Sequence, residues 1–297
     1  MRIQSNIQYG QSKRCRLDTY APASGGQDLP LIVFVHGGGW VMGNHIRTKN
    51  NCDHLSERFN VVAVSYQLSG FSWNSAKYAL AYVTAAIALC VNRKNVVYLV
   101  VLWCICVVLM AVFMRDPGVK HPTHIQDIAT ATRWATENMA YNGNIYLMGH
   151  SAGAHLASLL ACHPIYNNGF KDRIKGAICL SGVYSPARLR DVSVGNQLFE
   201  EVFGVDQTRD AFPIYHVNEQ TPPHLLLNAQ DDISLKRHTR DFFFTLLNAG
   251  VYVRNKAYSR TNHVTICRNW ADSNSNILKD ITRFIDALEE LAKTKDA

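Results

Sequence analysis

Apolar residues fall along this chain in short unbroken runs that alternate with longer stretches of helical spacing. Residues 31–35 and 61–65 are β-branched and aromatic runs, the first ending at glycines, as expected of strands buried on both faces, which need no polar side. Residues 144–148, 177–180 and 224–228 repeat the pattern, and 125–138, 152–161, 237–249 and 276–292 read as helices. Strands alternating with helices predict βαβ units. The expected fold class is therefore α/β, a mostly parallel central sheet with helices on both faces. There is no internal repeat and no low-complexity linker, so one domain over 1–297 is expected.

Two stretches break this rhythm. Residues 185–223 place Pro186, Pro213, Pro222 and Pro223 around a short helical piece near 197–203. They read as a small cap or lid over a site, or equally as a long surface loop with a structural helix. Residues 71–115 are more unusual. The span 76–91 is apolar apart from Lys77 and Thr84, and 96–114 has neither charge nor proline, with Asn92-Arg93-Lys94-Asn95 between them.

Composition narrows the function classes. The chain is 47% hydrophobic and 18% charged, an ordinary globular balance. Its formal net charge is +7, but Lys77, Arg93, Lys94 and Arg115 lie in the apolar stretch, which has no acidic residue. The remaining charge is nearly balanced and dispersed, so no nucleic-acid partner is expected. The eight cysteines include no CxxC pair and no zinc-like spacing with histidine, and they read as reduced thiols. His121 and His124 are close, but no carboxylate or third histidine completes a metal ligand set. Residues 1–10 are polar and lack a secretory pattern, which together with the cysteines predicts a cytoplasmic catalytic domain.

The chemistry-bearing motif is Gly149-His150-Ser151-Ala152-Gly153, between an expected strand and a small-residue helix. In that context GxSxG is a nucleophile elbow, whose glycines allow the turn that pushes the Ser151 hydroxyl out at the top of a sheet. Upstream, His36-Gly37-Gly38-Gly39-Trp40 directly follows a strand. Its glycines leave N–H groups free to face a developing oxyanion, and Gly38, Gly39 and Ala152 are the candidate donors. No Gly-Lys-Ser/Thr follows, which argues against a phosphate loop. An acid after a late strand and a histidine near the C-terminus complete the expected chain order. Asp232, or its neighbour Asp231, and His263 occupy those places. His263 would serve as general base and Asp232 would orient it, with no cofactor required.

These motifs, with Val64-Ser65-Tyr66-Gln67-Leu68-Ser69, His121-Pro122-Thr123-His124-Ile125-Gln126-Asp127, Gly153-Ala154-His155 and Ser181-Gly182-Val183-Tyr184, resemble the α/β-hydrolase esterases of the hormone-sensitive-lipase and kynurenine-formamidase branches. The form around Ser151 is closer to arylformamidases and prenylcysteine methylesterases. The resemblance runs from about residue 15 to 288, excluding the apolar stretch. It implies cleavage of a small-molecule ester or amide, with Ser151, Asp232 and His263 as triad and Gly38, Gly39 and Ala152 as oxyanion donors. Carboxylesterase and arylformamidase activities are the two enzymatic readings. A binding protein on the same fold is a third, disfavoured because all three triad positions are filled.

In that family the strand ending near Ser69 is followed almost at once by the segment matching 116–127. Residues 96–114 approach the ~20 apolar residues that span a bilayer. Membrane association through 76–114 as a transmembrane hairpin, re-entrant segment or interfacial anchor is one reading. A buried soluble hairpin is a second. Translated non-coding sequence is a third, since removing 70–115 leaves the family pattern nearly uninterrupted.

Overall fold

The computed structural model describes residues 1–70, 118–190, 199–204, 209–268 and 276–295. Among them the strands are β1 (Arg2–Gln8), β2 (Arg16–Ala21), β3 (Leu31–Val35), β4 (Asn60–Val64), β5 (Ile145–His150), β6 (Ile174–Leu180), β7 (His224–Ala229) and β8 (Val253–Tyr258). They form one sheet in the order β1-β2-β4-β3-β5-β6-β7-β8. Strand β2 runs antiparallel to both neighbours, and β4 through β8 are parallel. The helices are α1 (Lys49–Leu55), α2 (Thr123–Asn138), α3 (Ala152–Cys162), α4 (Pro186–Arg190), α5 (Ile233–Asn248), α6 (Thr265–Arg268) and α7 (Asn276–Lys295).

The sheet is covered on both faces, which explains why its strands lack polar alternation. Leu31, Val33, Val35, Ile145 and Leu147 pack with Ile125 and Ile128 of α2, Leu156 and Leu160 of α3 and Phe242 and Leu246 of α5. Their neighbours Ile32, Phe34, Tyr146 and Met148 point the other way, onto Cys52 and Leu55 of α1 and Ile277, Ile281, Phe284 and Ile285 of α7. The α7 residues recur at helical spacing, so one stripe is buried while Lys279, Arg283 and Asp286 face solvent or its margin.

The five expected strands appear as β3 to β7, and the expected helices as α2, α3, α5 and α7, with α5 beginning four residues earlier. Strands β1, β2 and β8 and helix α1 were not anticipated. β1 and β8 are edge strands with mostly exposed polar side chains, so they carry no apolar run. β2 hides its signal differently, because its Asp18 is buried. The Asp18 carboxylate accepts the Asn6 N–H at 2.6 Å and the Tyr20 hydroxyl at 3.3 Å, and it lies 3.3 Å from His45 Nε2.

The apolar stretch 71–115 lies outside the described residues, and with it the 76–114 membrane expectation. No helix among the described residues is long and apolar enough to cross a membrane. Residues 191–198 and 205–208 of the 185–223 segment also lie outside them. The described part of that segment packs over α3, where Phe199, Phe203 and Phe212 are buried.

Because Ile281 is fully buried on the face opposite α3, Ile281→Ala is expected to lower unfolding free energy by ~2–5 kcal/mol. Urea denaturation measures this, and the geometry around Ser151 should be unaffected.

Candidate active site

The site is built at the carboxyl ends of the parallel strands, where an α/β sheet presents its loops to a ligand. Ser151 sits between β5 and α3 with φ 54° and ψ −119°, a backbone conformation that a residue with a Cβ rarely adopts. Two close approaches hold it there. A Cβ on Gly153 would lie 2.1 Å from the Val35 carbonyl oxygen, and one on Gly149 would lie 2.3 Å from the Gly153 backbone. The Ser151 N–H is fixed by the Leu180 carbonyl at 2.8 Å, so β6 also anchors the turn.

His263 is carried on the loop between β8 and α6. Asn262 shapes that loop, its Oδ1 accepting the N–H groups of Val264 and Thr265 at 3.0 and 2.9 Å. His263 Nε2 lies 3.0 Å from Ser151 Oγ, and His263 Nδ1 lies 2.9 Å from Asp232 Oδ2. Asp232 follows β7 and is buried, whereas the adjacent Asp231 is exposed and its N–H bonds the Thr261 carbonyl at 3.3 Å. Of the two aspartates, the structure brings Asp232 to His263.

The glycine loop after β3 lies beside this chain of groups. A Cβ on Gly37 would meet His150 Nδ1 at 2.7 Å and Ser151 Cβ at 3.2 Å. Gly38 and Gly39 have positive φ (123° and 59°), and a Cβ on Gly38 would lie 2.1 Å from the Met42 carbonyl oxygen. The Gly38 carbonyl accepts the N–H groups of Val41 and Met42, which folds the loop back on itself. Among the described residues, no acceptor takes the N–H of Gly38, Gly39 or Ala152. Such N–H groups near a nucleophile can receive an oxyanion.

Several supporting residues were not legible as a site in the sequence. Arg14 donates to the Gly43 carbonyl at 2.6 Å, and the Ser69 N–H donates to the Trp40 carbonyl at 2.9 Å, bracing the glycine loop. Trp40 Nε1 donates to His155 Nδ1 at 3.2 Å, and His155 Nε2 donates to the Ala211 carbonyl at 2.7 Å. Burial pushes His155 down to about 3, so it remains neutral and can accept on one nitrogen while donating from the other. One ring thereby ties the glycine loop, α3 and the 209–216 segment together. His150 is also buried. Its Nε2 lies 2.8 Å from the His263 carbonyl, and burial, with the His263 charge second, pushes it down to about 4.

His121 and His124 do not act as a pair. His124 Nε2 lies 3.0 Å from Ser69 Oγ, whereas His121 turns to Asp210. The Asp210 carboxylate meets His121 Nε2 at 2.7 Å, His163 Nε2 at 2.9 Å and the Tyr166 hydroxyl at 2.6 Å. Burial opposes its charge, but these three donors outweigh that and bring the carboxyl down to about 2. No group of three or more metal-ligating side chains suited to a metal ion occurs among the described residues.

A family model described as the alpha/beta hydrolase fold matches residues 81–266, more than half of the chain, and a second, described as BD-FAE, matches 17–93. The chain is similar to a kynurenine formamidase of Danio rerio, 22% identical over 94% of this chain and 81% of that protein. It is also similar to a probable carboxylic ester hydrolase, LipM, of Mycobacterium tuberculosis, 31% identical over 40% of this chain and 32% of that one. Among solved structures, esterase B from Lactobacillus rhamnosis superposes with a TM-score of 0.73 at 18% identity, covering 99% of this chain and 87% of that one. That is a likeness of fold.

Two outcomes follow from the site's packing. Gly153→Ala is expected to lower stability by at least ~1–3 kcal/mol, because the new methyl meets backbone that cannot move aside; chemical denaturation measures the loss. Asp210, depressed from 3.8 to about 2, contributes stability that is fully present above pH ~4 and fades as pH falls toward 2. In Asp210→Asn, Tm should therefore fall less steeply with pH across that window than in the unsubstituted chain.

Proposed function

This chain belongs to the alpha/beta hydrolase fold family, and from that premise we propose that it is a serine hydrolase cleaving a carboxylic ester through an acyl-enzyme on Ser151. The observation that carries the proposal is the continuous arrangement of Ser151 Oγ, His263 and Asp232, with separations of 3.0 and 2.9 Å, at the carboxyl edge of the sheet.

In this reading Ser151 Oγ attacks the ester carbonyl carbon while His263 Nε2 takes its proton. Asp232, on the far side of the ring, keeps the hydrogen on Nδ1 and stabilises the imidazolium. Negative charge gathers on the former carbonyl oxygen, where the N–H groups of Gly38, Gly39 and Ala152 receive it. The tetrahedral intermediate collapses, the C–O bond breaks, and the alcohol leaves with the proton from His263. Water then enters, gives a proton to His263 and attacks the acyl carbon. Its collapse frees the acid and returns the proton to Ser151 Oγ. The balance closes with the chain's own residues, so no cofactor enters the scheme.

A second reading is hydrolysis of an aromatic formamide. It is favoured by the similarity to a kynurenine formamidase along nearly the whole chain. The same groups serve, with His263 protonating a departing amine in place of an alcohol. Ester and formamide substrates presented to the same preparation separate the two readings.

Ser151→Ala is expected to abolish turnover of short-chain aryl esters and labelling by a fluorophosphonate probe while leaving Tm nearly unchanged. Asp232→Asn, which removes the charge and favours the wrong tautomer of His263, should lower kcat by roughly 10⁴. Full turnover by Ser151→Ala would refute Ser151 as the nucleophile, and an unsubstituted chain without turnover or labelling would favour a binding role for the fold.

A further inference from the structure

His150 lies between the elbow glycine and the nucleophile, yet its side chain is engaged elsewhere. Its ring is buried, its Nε2 lies 2.8 Å from the main-chain carbonyl oxygen of His263, and the two imidazoles are 4.7 Å apart between centroids. A carbonyl oxygen only accepts, so Nε2 of His150 carries the hydrogen. On its other side the ring abuts Gly37, where a Cβ would come within 2.7 Å of Nδ1. His150 is thus wedged between the start of the glycine loop and the loop bearing His263.

In that second loop the Asp231 N–H holds the Thr261 carbonyl at 3.3 Å, two residues before His263. Ser259, Arg260, Asn262 and Val264 are exposed, and the His263 side chain is 37% exposed. The side-chain contacts to Ser151 and Asp232 fix the direction of the imidazole, but they do not fix the backbone that carries it. The bond to His150 is made to that backbone. Since His150 belongs to the same strand end as Ser151, it sets the height of one partner relative to the other. Displacement of a reacting group by about 1 Å can cost on the order of a hundredfold in rate.

We propose that His150 is a positioning residue, holding the main chain of His263 by an Nε2–H to carbonyl hydrogen bond so that His263 Nε2 stays in line with Ser151 Oγ. The inference rests on the serine-hydrolase reading of Ser151. It adds a role for the residue immediately before the nucleophile. An aspartate there would present an acceptor to the same carbonyl and could not make this bond when ionised.

The test compares His150→Gln with His150→Met in the full chain. The two side chains have similar length and volume, but only Gln offers an N–H that reaches the position of the imidazole Nε2. Both are assayed with p-nitrophenyl acetate, and rates are normalised to the Ser151 titrated at end point by a fluorophosphonate probe. His150→Met should lower kcat by about tenfold to a hundredfold with KM changed less than about twofold, and His150→Gln should recover most of the loss. A merely structural role would move the titratable fraction and Tm in both variants but not separate them per titrated serine. Equal kcat in the two variants, or an unchanged kcat in His150→Met, overturns the inference while leaving the hydrolase reading intact. An unsubstituted chain that neither labels nor turns over overturns the hydrolase reading and this inference with it.

Discussion

The arrangement depends on one close approach, that of Gly153 to the carbonyl oxygens at the end of β3. A Cβ there would lie 2.1 Å from the Val35 oxygen and 2.6 Å from that of His36. With only hydrogen at that point, α3 can start directly above the strand that launches the glycine loop. Ser151 is then forced into a left-handed φ of 54°, a strain of order 1–3 kcal/mol. Complete burial of α3 between the sheet and Phe199, Phe203 and Phe212 offsets it. Each of its eleven residues is buried, and Leu156, Leu159 and Leu160 alone contribute ~1.5–3 kcal/mol apiece. The price of this strained, half-buried nucleophile is met by packing that never touches a substrate.

Around this turn, buried histidines serve as fixed connectors. Burial lowers His36 and His150 to about 4 and His124 and His155 to about 3, so their rings remain neutral near pH 7. A neutral imidazole offers one donor and one acceptor on a rigid plane, which suits joints between segments distant in sequence. His155 links Trp40 to Ala211, and His150 links the elbow to His263. Because their pKa values are depressed below 6.5, these groups contribute stability that is present above that value and lost as pH falls toward about 4 for His36 and His150 and about 3 for His124 and His155. The same rings that orient the site thus set an acid limit on the fold.

Much of the architecture was legible in the sequence because the physics that makes it is local. A strand covered on both faces must be apolar throughout, so β3 to β7 announced themselves. The elbow was equally visible, since its glycines answer to contacts within a few residues and to the strand before it. Edge strands β1 and β8 have no such obligation. The choice between Asp231 and Asp232 was not legible, since both follow β7 and only the path of the chain buries one and exposes the other. His150 and His155 were hidden for a similar reason. Their partners lie 113 and 56 residues away, a separation that motif reading does not reach.

The apolar stretch 71–115 interrupts this pattern between β4 and α2. The described chain on either side of it meets directly beside the interruption, where Ser69 Oγ donates to the Val119 carbonyl at 2.7 Å and lies 3.0 Å from His124 Nε2. Immediately before that point, the Gln67 N–H and side-chain amide donate to Asp127 of α2 at 2.8 and 3.3 Å. The end of β4 is therefore bound to α2 by hydrogen bonds that close across the interruption. The Ser69 N–H also holds the Trp40 carbonyl, so this junction reaches the glycine loop without passing through residues 71–117. The framework that positions Ser151, His263 and the loop N–H groups is thus fastened by contacts among residues outside that stretch.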